Sequence, residues 1–240
     1  MNEKDTLRQA ILIAEKTGKR LRSLFRREEP LERGTVKEIK TIYDEIADSI
    51  IKEDLERYYP DHSYITEETG LVAKGEDYLW IIDPLDGTSN FANQNPFFAV
   101  SIALWFKGEP ILGVIEAPML QERYVAVKRK GAYHYDFLIN IERRVNVSDT
   151  SNLKKAYILY CEGGEEDKER IFSLFKKYYL KGKDTRKLGS AAIEMAYVGL
   201  GRSDCYITTQ ISLWDIAAGI LFVKEAGGNI LHFDNTSYKW

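Results

Sequence analysis

Apolar residues recur at helical spacing over residues 4–27. Leu7, Ile11, Ala14, Leu21, Leu24 and Phe25 share one face and predict a first helix. The charged segment 28–38 (EEPLERGTVKE) breaks that period with Pro30 and Gly34 and reads as a loop. A second helix is expected over 38–58, with Ile39, Ile42, Ile46 and Ile50 as its buried stripe. Asp44 and Asp48 then lie one turn apart on a different face. The period changes next: His62–Ile65 reads as a short strand, an acidic turn follows, and Tyr78–Asp83 is a strong apolar strand. Segments 97–106 and 110–116 read as strands about the Lys107–Pro110 turn, and 122–147 as antiparallel strands turning at Gly131. From about 155 the texture alternates: strand 156–161, helix 165–179, strand 184–186, helix 189–200, strand 204–208, helix 215–226 and strand 229–233. Alternation of that kind predicts an α/β half. A soft division falls near 144–150, between an N-terminal α+β half (1–145) and a C-terminal α/β half (146–240).

Composition narrows the setting. A chain of 240 residues buries roughly 70–75% of its extended surface and needs no disulfide or metal staple to fold. Cys161 and Cys205 are too few for a disulfide framework, so a reducing, cytoplasmic location is expected. The N-terminus (MNEKDTLRQA) is charged from its third residue and has no apolar core, unlike a secretory signal. The longest apolar stretch, Phe97 to Phe106, is too short to span a bilayer as a helix, so no membrane partner is expected. Lys+Arg total 34 against 37 Asp+Glu, a net charge of −3. That balance argues against a nucleic-acid-coating surface.

Three acidic segments carry the candidate chemistry. In Trp80–Phe91 (WIIDPLDGTSNF) an apolar strand delivers Asp83 to its carboxyl end, and Pro84 holds Asp83 extended. Asp86, Gly87, Thr88 and Ser89 follow as a polar turn that opens a helix, setting two carboxylates beside backbone N–H groups able to receive an anion. Carboxylates next to a phosphate cradle suit Mg²⁺. The same Asp-Pro-x-Asp-Gly run is also good turn chemistry, and both readings stand on this segment alone. Glu67 and Glu68 sit upstream at the end of a short strand, where adjacent acids are ordinarily solvated. Asp215, in Ser212–Gly219 (SLWDIAAG), reads first as a helix N-cap. It also stands at a strand-to-helix junction that can reach a site at the strand ends. His62, His134 and His232 match no motif and read as structural.

In order, Glu67-Glu68, the Asp83–Phe91 block and the Trp214–Gly219 block resemble the inositol monophosphatase family of the sugar-phosphatase superfamily. The resemblance runs from the first helix to about Gly228. It implies a layered α-β-α-β-α sandwich and a phosphomonoesterase using two or three Mg²⁺ ions. One metal is implied at Glu67, Asp83 and the Leu85 carbonyl, a second at Asp83, Asp86 and Asp215, and a third at Glu67 and Asp44. Phosphate is implied on the N–H groups of Gly87 and Thr88. Water, oriented by Glu67 and Thr88, is implied to attack phosphorus in line. Glu68 is implied to orient the water shell. Gly189, Ser190 and Ala191 match the family's substrate-side turn, although Gly-Ser is also a plain helix start.

The animal enzymes of the family carry a glutamate seven residues before the last metal-binding aspartate, where this chain has Thr208. Strict inositol selectivity is therefore not implied. Inositol 1-phosphate and fructose 1,6-bisphosphate both stand as substrates, as they do for archaeal and bacterial relatives. Arg186, Lys187 or Arg202 would supply a cation for a second phosphate, with surface solvation as the plain alternative. Glu32, Arg33, Lys37, Glu38 and Lys40 fall in a stretch, 31–40, that in the family closes over the site. The chain stops at Trp240 without the usual closing segment, which is expected to thin one edge of the second half. A homodimer is implied by resemblance. A 3′-phosphoadenosine 5′-phosphate phosphatase and a non-catalytic sugar-phosphate-binding module remain the alternatives.

Overall fold

Alternate residues of the central strands point into two different cores, which is why those strands read as unbroken apolar runs. The computed structural model describes residues 2–25, 42–161 and 168–238. Helices α1 (Glu3–Leu24) and α2 (Ile42–Tyr58) precede a large mixed sheet. That sheet is built from β1 (Ser63–Thr66), β2 (Gly70–Val72), β3 (Tyr78–Asp86), β4 (Ala99–Phe106), β5 (Glu109–Ala117), β6 (Glu122–Val127), β7 (Gly131–Asp136) and β8 (Ile141–Val145). Its eight strands run in the order β2-β1-β3-β4-β5-β6-β7-β8, with only the β1–β3 pair parallel. The short helix α3 (Thr88–Ala92) leaves the end of β3.

Trp80, Ile82, Val100, Ile102, Leu104, Leu112 and Val114 meet α1 and α2 on one face of the sheet. Ile81, Ala99, Ala103, Trp105, Ile115 and Ala117 meet α5 (Ala191–Gly199) and α6 (Leu213–Glu225) on the other. Beyond those two helices lies a parallel three-stranded sheet, β10 (Asp184–Arg186), β9 (Tyr157–Cys161) and β11 (Cys205–Thr208) in that order. Helix α4 (Lys168–Tyr179) covers its far face, where the ring of Tyr160 packs 4.2 Å from that of Phe175. The layers therefore run α-β-α-β-α. Small residues let α6 sit close: a Cβ on Gly113 would lie 2.9 Å from the Ala218 carbonyl.

Helix α2 corrects the sequence reading. Its buried positions are Tyr43, Asp44, Ala47, Asp48, Ile51, Asp54 and Leu55, while Ile42 is 61% exposed. Tyr43, Ala47, Ile51 and Leu55 repeat every four residues, as good a helical spacing as the steps of three and four that join Ile39, Ile42, Ile46 and Ile50. The Tyr43 ring packs on Phe91 at 5.0 Å, and this second stripe wins. Asp44 and Asp48 thereby turn inward, onto the edge of the site.

Two further expectations change. Strand β3 continues through Pro84 to Asp86, with its register against β4 shifting between Asp83 and Asp86. Residues 229–233 do not form a strand. Leu231 makes a single bridge to Ser237, because Asp234 accepts from the N–H and hydroxyl of Thr236 and folds the chain back. The stretch 31–40 lies outside the described residues.

Candidate active site

Parallel pairing of β1 with β3 sets Thr66 beside Ile82, so the next residues, Glu67 and Asp83, emerge side by side at the strands' carboxyl ends. Asp215 arrives from the opposite side of the sheet, in the first turn of α6. Ser212, not Asp215, is the N-cap of that helix; Asp215 is the third helical residue of a capping box, its Oδ2 accepting from the Ser212 N–H at 3.1 Å. One carboxylate oxygen each from Glu67, Asp83 and Asp215 fall within 4.8 Å of one another. Asp83 is 2% exposed, and its Oδ1 accepts from the Leu85 N–H at 3.0 Å, fixing the turn.

Thr88 closes the near side. Its Oγ1 lies 2.7 Å from Asp44 Oδ1 and 3.1 Å from the Leu85 carbonyl. With one proton to give, the hydroxyl serves the closer, charged acceptor. Gly87, the N-cap of α3, has φ +91, a left-handed conformation that suits glycine. A Cβ there would sit 2.9 Å from the Phe97 carbonyl and 3.2 Å from the Gly189 carbonyl. The turn after β3 and the turn before α5 thus meet backbone to backbone.

Asp86 stands outside the trio and faces α5. Its Oδ1 accepts from the Ala191 N–H at 3.1 Å, and its Oδ2 from the Ala192 N–H at 2.9 Å and the Ser190 hydroxyl. Ser190, 0% exposed, and Ala191 therefore turn their donors toward Asp86. Gly189 donates its N–H to Glu194 at 3.3 Å. Arg186 lies on the surface, ion-paired with Asp184. Glu68 is half-buried beside Glu67.

Sequence reasoning gave no role to three residues that support this arrangement, Glu194, Asn90 and Asp48. Glu194 Oε1 accepts from the Leu188 N–H at 2.6 Å. The Asn90 side chain donates to the Leu188 and Phe97 carbonyls at 2.8 and 2.6 Å. Asp48 Oδ2 takes the Thr69 hydroxyl at 2.8 Å and the Lys52 ammonium at 2.7 Å, which ties the Glu67-Glu68 turn to α2. The signal for Asp48 was its spacing one turn from Asp44. Glu194 gave none, since a glutamate near a helix start reads as solvated.

The acids raise one another. Burial pushes Asp83 well above the ordinary carboxylate range, helped by negative charge on Asp86, Glu67 and Asp215. Asp215 rises to about 7 by burial and then by Asp86 and Glu67. Glu67 reaches about 7 by the crowding of protein around it and then by Asp44, Glu68 and Asp86, although its outer edge is open to solvent. Asp86 rises only to about 6, because the Ser190, Ala192 and Ala191 donors hold down what burial lifts. An all-oxygen donor set with uncompensated negative charge is what a hard divalent cation requires.

A second cluster, Glu122, His134 and Asp136, also falls within 4.8 Å. It differs in being already answered: Arg202 forks onto both Glu122 oxygens at 2.7 and 2.5 Å, and Tyr124 donates to one of them. A cation would have to displace a guanidinium there.

A profile described as the inositol monophosphatase family matches residues 2–240. The chain belongs to the inositol monophosphatase family. A fructose-1,6-bisphosphatase/inositol-1-monophosphatase of Thermotoga maritima is 38% identical over 231 residues, covering 95% of this chain and 85% of that one. A protein named Nus factor SuhB from Pasteurella multocida is 34% identical over 232 residues, covering 94% and 84%. Among solved structures, a Thermotoga maritima IMPase superposes with a TM-score of 0.87 at 33% identity, over 98% of this chain and 88% of that one. This kinship makes the chain an enzyme of a phosphatase family, and the layer order found here is the inositol monophosphatase sandwich. Among the described residues no helix is long and apolar enough to cross a membrane.

Proposed function

We propose that the chain is a Mg²⁺-dependent phosphomonoesterase that hydrolyses a small sugar or polyol phosphate, inositol 1-phosphate, fructose 1,6-bisphosphate or both. The observation that carries this reading is the convergence of Glu67, Asp83 and Asp215, from three separate elements, beside the Gly87–Thr88 turn. Glu67, Asp83, Asp215, the Leu85 carbonyl and the outward side of Asp86 would hold the metal, with Asp44 at the edge for a third ion. Bound there, Mg²⁺ supplies positive charge to the phosphoryl group and activates the attacking water.

The chain's own residues do the rest. The N–H groups of Gly87 and Thr88 open α3, where the first turn leaves its donors without partners inside the helix, and they receive the phosphoryl oxygens. Thr88 Oγ1 gives its proton to Asp44 Oδ1 and so presents lone pairs to water. Glu67 accepts from the same water and turns it in line with the scissile P–O bond. Asp44 Oδ1 takes the proton passed through Thr88 as the P–O bond to the ester oxygen breaks, and the leaving alkoxide picks up a proton from solvent and departs as the alcohol. Gly189 would face the leaving group, with the buried Ser190 and Ala191 behind it holding Asp86, and Arg186 would supply the cation for a second phosphate. The assembly that goes with this reading is a homodimer.

Phosphate release from inositol 1-phosphate, fructose 1,6-bisphosphate and adenosine 3′,5′-bisphosphate, with and without Mg²⁺, tests the proposal. Mg²⁺-dependent release from one or both of the first two is expected. Release only from the third, or binding of all three without release, would overturn it.

A further inference from the structure

We propose that Glu194 is a positioning residue for the substrate side of the site, clamping the Leu188–Gly189 turn and, through it, setting where Ser190 and the α5 amides hold Asp86. The inference rests on the phosphatase reading for its effect on turnover, but its geometry stands alone. Helix side chains lean toward the N-terminus, so a glutamate in the first turn of α5 can reach back over the chain that enters the helix. Glu194 does so: Oε1 accepts the Leu188 N–H at 2.6 Å and the Gly189 N–H at 3.3 Å.

The side chain is 0% exposed, and among the described residues its Oε2 has no hydrogen-bond partner. A glutamate is thus kept in a dry place for the two bonds of its other oxygen. Across the turn, Asn90 donates to the Leu188 carbonyl at 2.8 Å. Leu188 is gripped at both its N–H and its C=O, from two layers of the fold. The next peptide carries the Gly189 carbonyl, which would lie 3.2 Å from a Cβ on Gly87. The clamp therefore sets the gap between the phosphate turn and the substrate turn. It also sets the start of α5, whose Ser190 hydroxyl and Ala191 and Ala192 N–H groups are the donors on Asp86. Loosening it should weaken substrate and metal binding more than it slows the step at saturation.

Two variants separate reach from acidity. Glu194→Asp keeps the carboxylate but shortens it, so that it no longer spans to Leu188. Glu194→Gln keeps the reach and an acceptor oxygen but cannot ionise. In Glu194→Asp, amide exchange at Leu188 and Gly189 in the full chain is expected to quicken about tenfold or more, the scale of one lost buried hydrogen bond. The KM for inositol 1-phosphate and the half-saturating Mg²⁺ concentration should rise by a similar factor, with kcat at saturation little changed. Glu194→Gln should restore all three values toward wild type. The proposal is overturned if Glu194→Asp exchanges and binds like wild type, or if Glu194→Gln is as impaired as Glu194→Asp. If the wild type hydrolyses no ester, the phosphatase reading falls, and the exchange rates still decide the clamp.

Discussion

Asp83 and Asp215 share a burden that ordinary surface acids do not. Each is held near other carboxylates, with burial and neighbouring charge together favouring the protonated form. Replacing either by asparagine removes a donor of negative charge from the cation site while relieving repulsion in the metal-free fold. Asp83→Asn and Asp215→Asn should therefore each lower phosphate release by more than the roughly 10–100-fold seen for changes one shell further from a metal. The melting temperature of the metal-free protein should stay level or rise. Near-normal turnover in either variant would remove that residue from the metal set. Both acids were legible in the sequence because each belongs to a plain element signal: an apolar run that leads into Asp83-Pro84, and a small-residue helix that opens after Ser212. Glu194 was not, because its partners are backbone N–H groups that only the folded turn brings within reach.

Among the elements, α2 shows how two stripes of equal period compete. Both sets recur at helical spacing, and periodicity alone does not choose between them. What decides is the neighbour: Phe91 offers a ring to Tyr43, and the inward acids find Thr88, Lys52 and Thr69. An exposed Ile42 should tolerate Ile42→Ser within about 0.5 kcal/mol. Ala47, 0% exposed, should not accept leucine, and Ala47→Leu is expected to cost about 1–3 kcal/mol by overpacking. Thermal unfolding of the two variants checks this, and the reverse ranking would return the isoleucine stripe to the core. The central strands were easier to read, since burial on both faces leaves them apolar throughout. Residues 229–233 carried a strand-like pattern, but Asp234 and Thr236 turn the chain before a ladder can form.

For the whole molecule, the balanced net charge conceals an uneven distribution. Asp83, Asp86, Glu67 and Asp215 all have folded-state values above their ordinary ones. Groups shifted upward stabilise the fold below their unfolded values, near 4, and lose that contribution as pH rises through about 6 to 7, the values of Asp86, Glu67 and Asp215. The metal-free protein should thus melt at a lower temperature at pH 8 than at pH 5.5. Mg²⁺ should raise the melting temperature far more at pH 8, because at pH 5.5 protons already occupy the carboxylates. Scanning fluorimetry in EDTA and in Mg²⁺ at the two pH values checks both signs. An equal Mg²⁺ effect at the two would mean that the cluster does not bind the ion.

The register that sets Glu67 beside Asp83 is local, but Asp215 joins them from more than half the chain's length away. Contacts between such distant residues form late, after the loop between them has closed. A chain still emerging from the ribosome has the first two acids long before it has the third. The cluster is therefore absent from every partly folded intermediate that lacks α6. Tight cation binding would then be a signature of completed topology, and an ion held by all three acids would tie α6 to β1 and β3 against local opening.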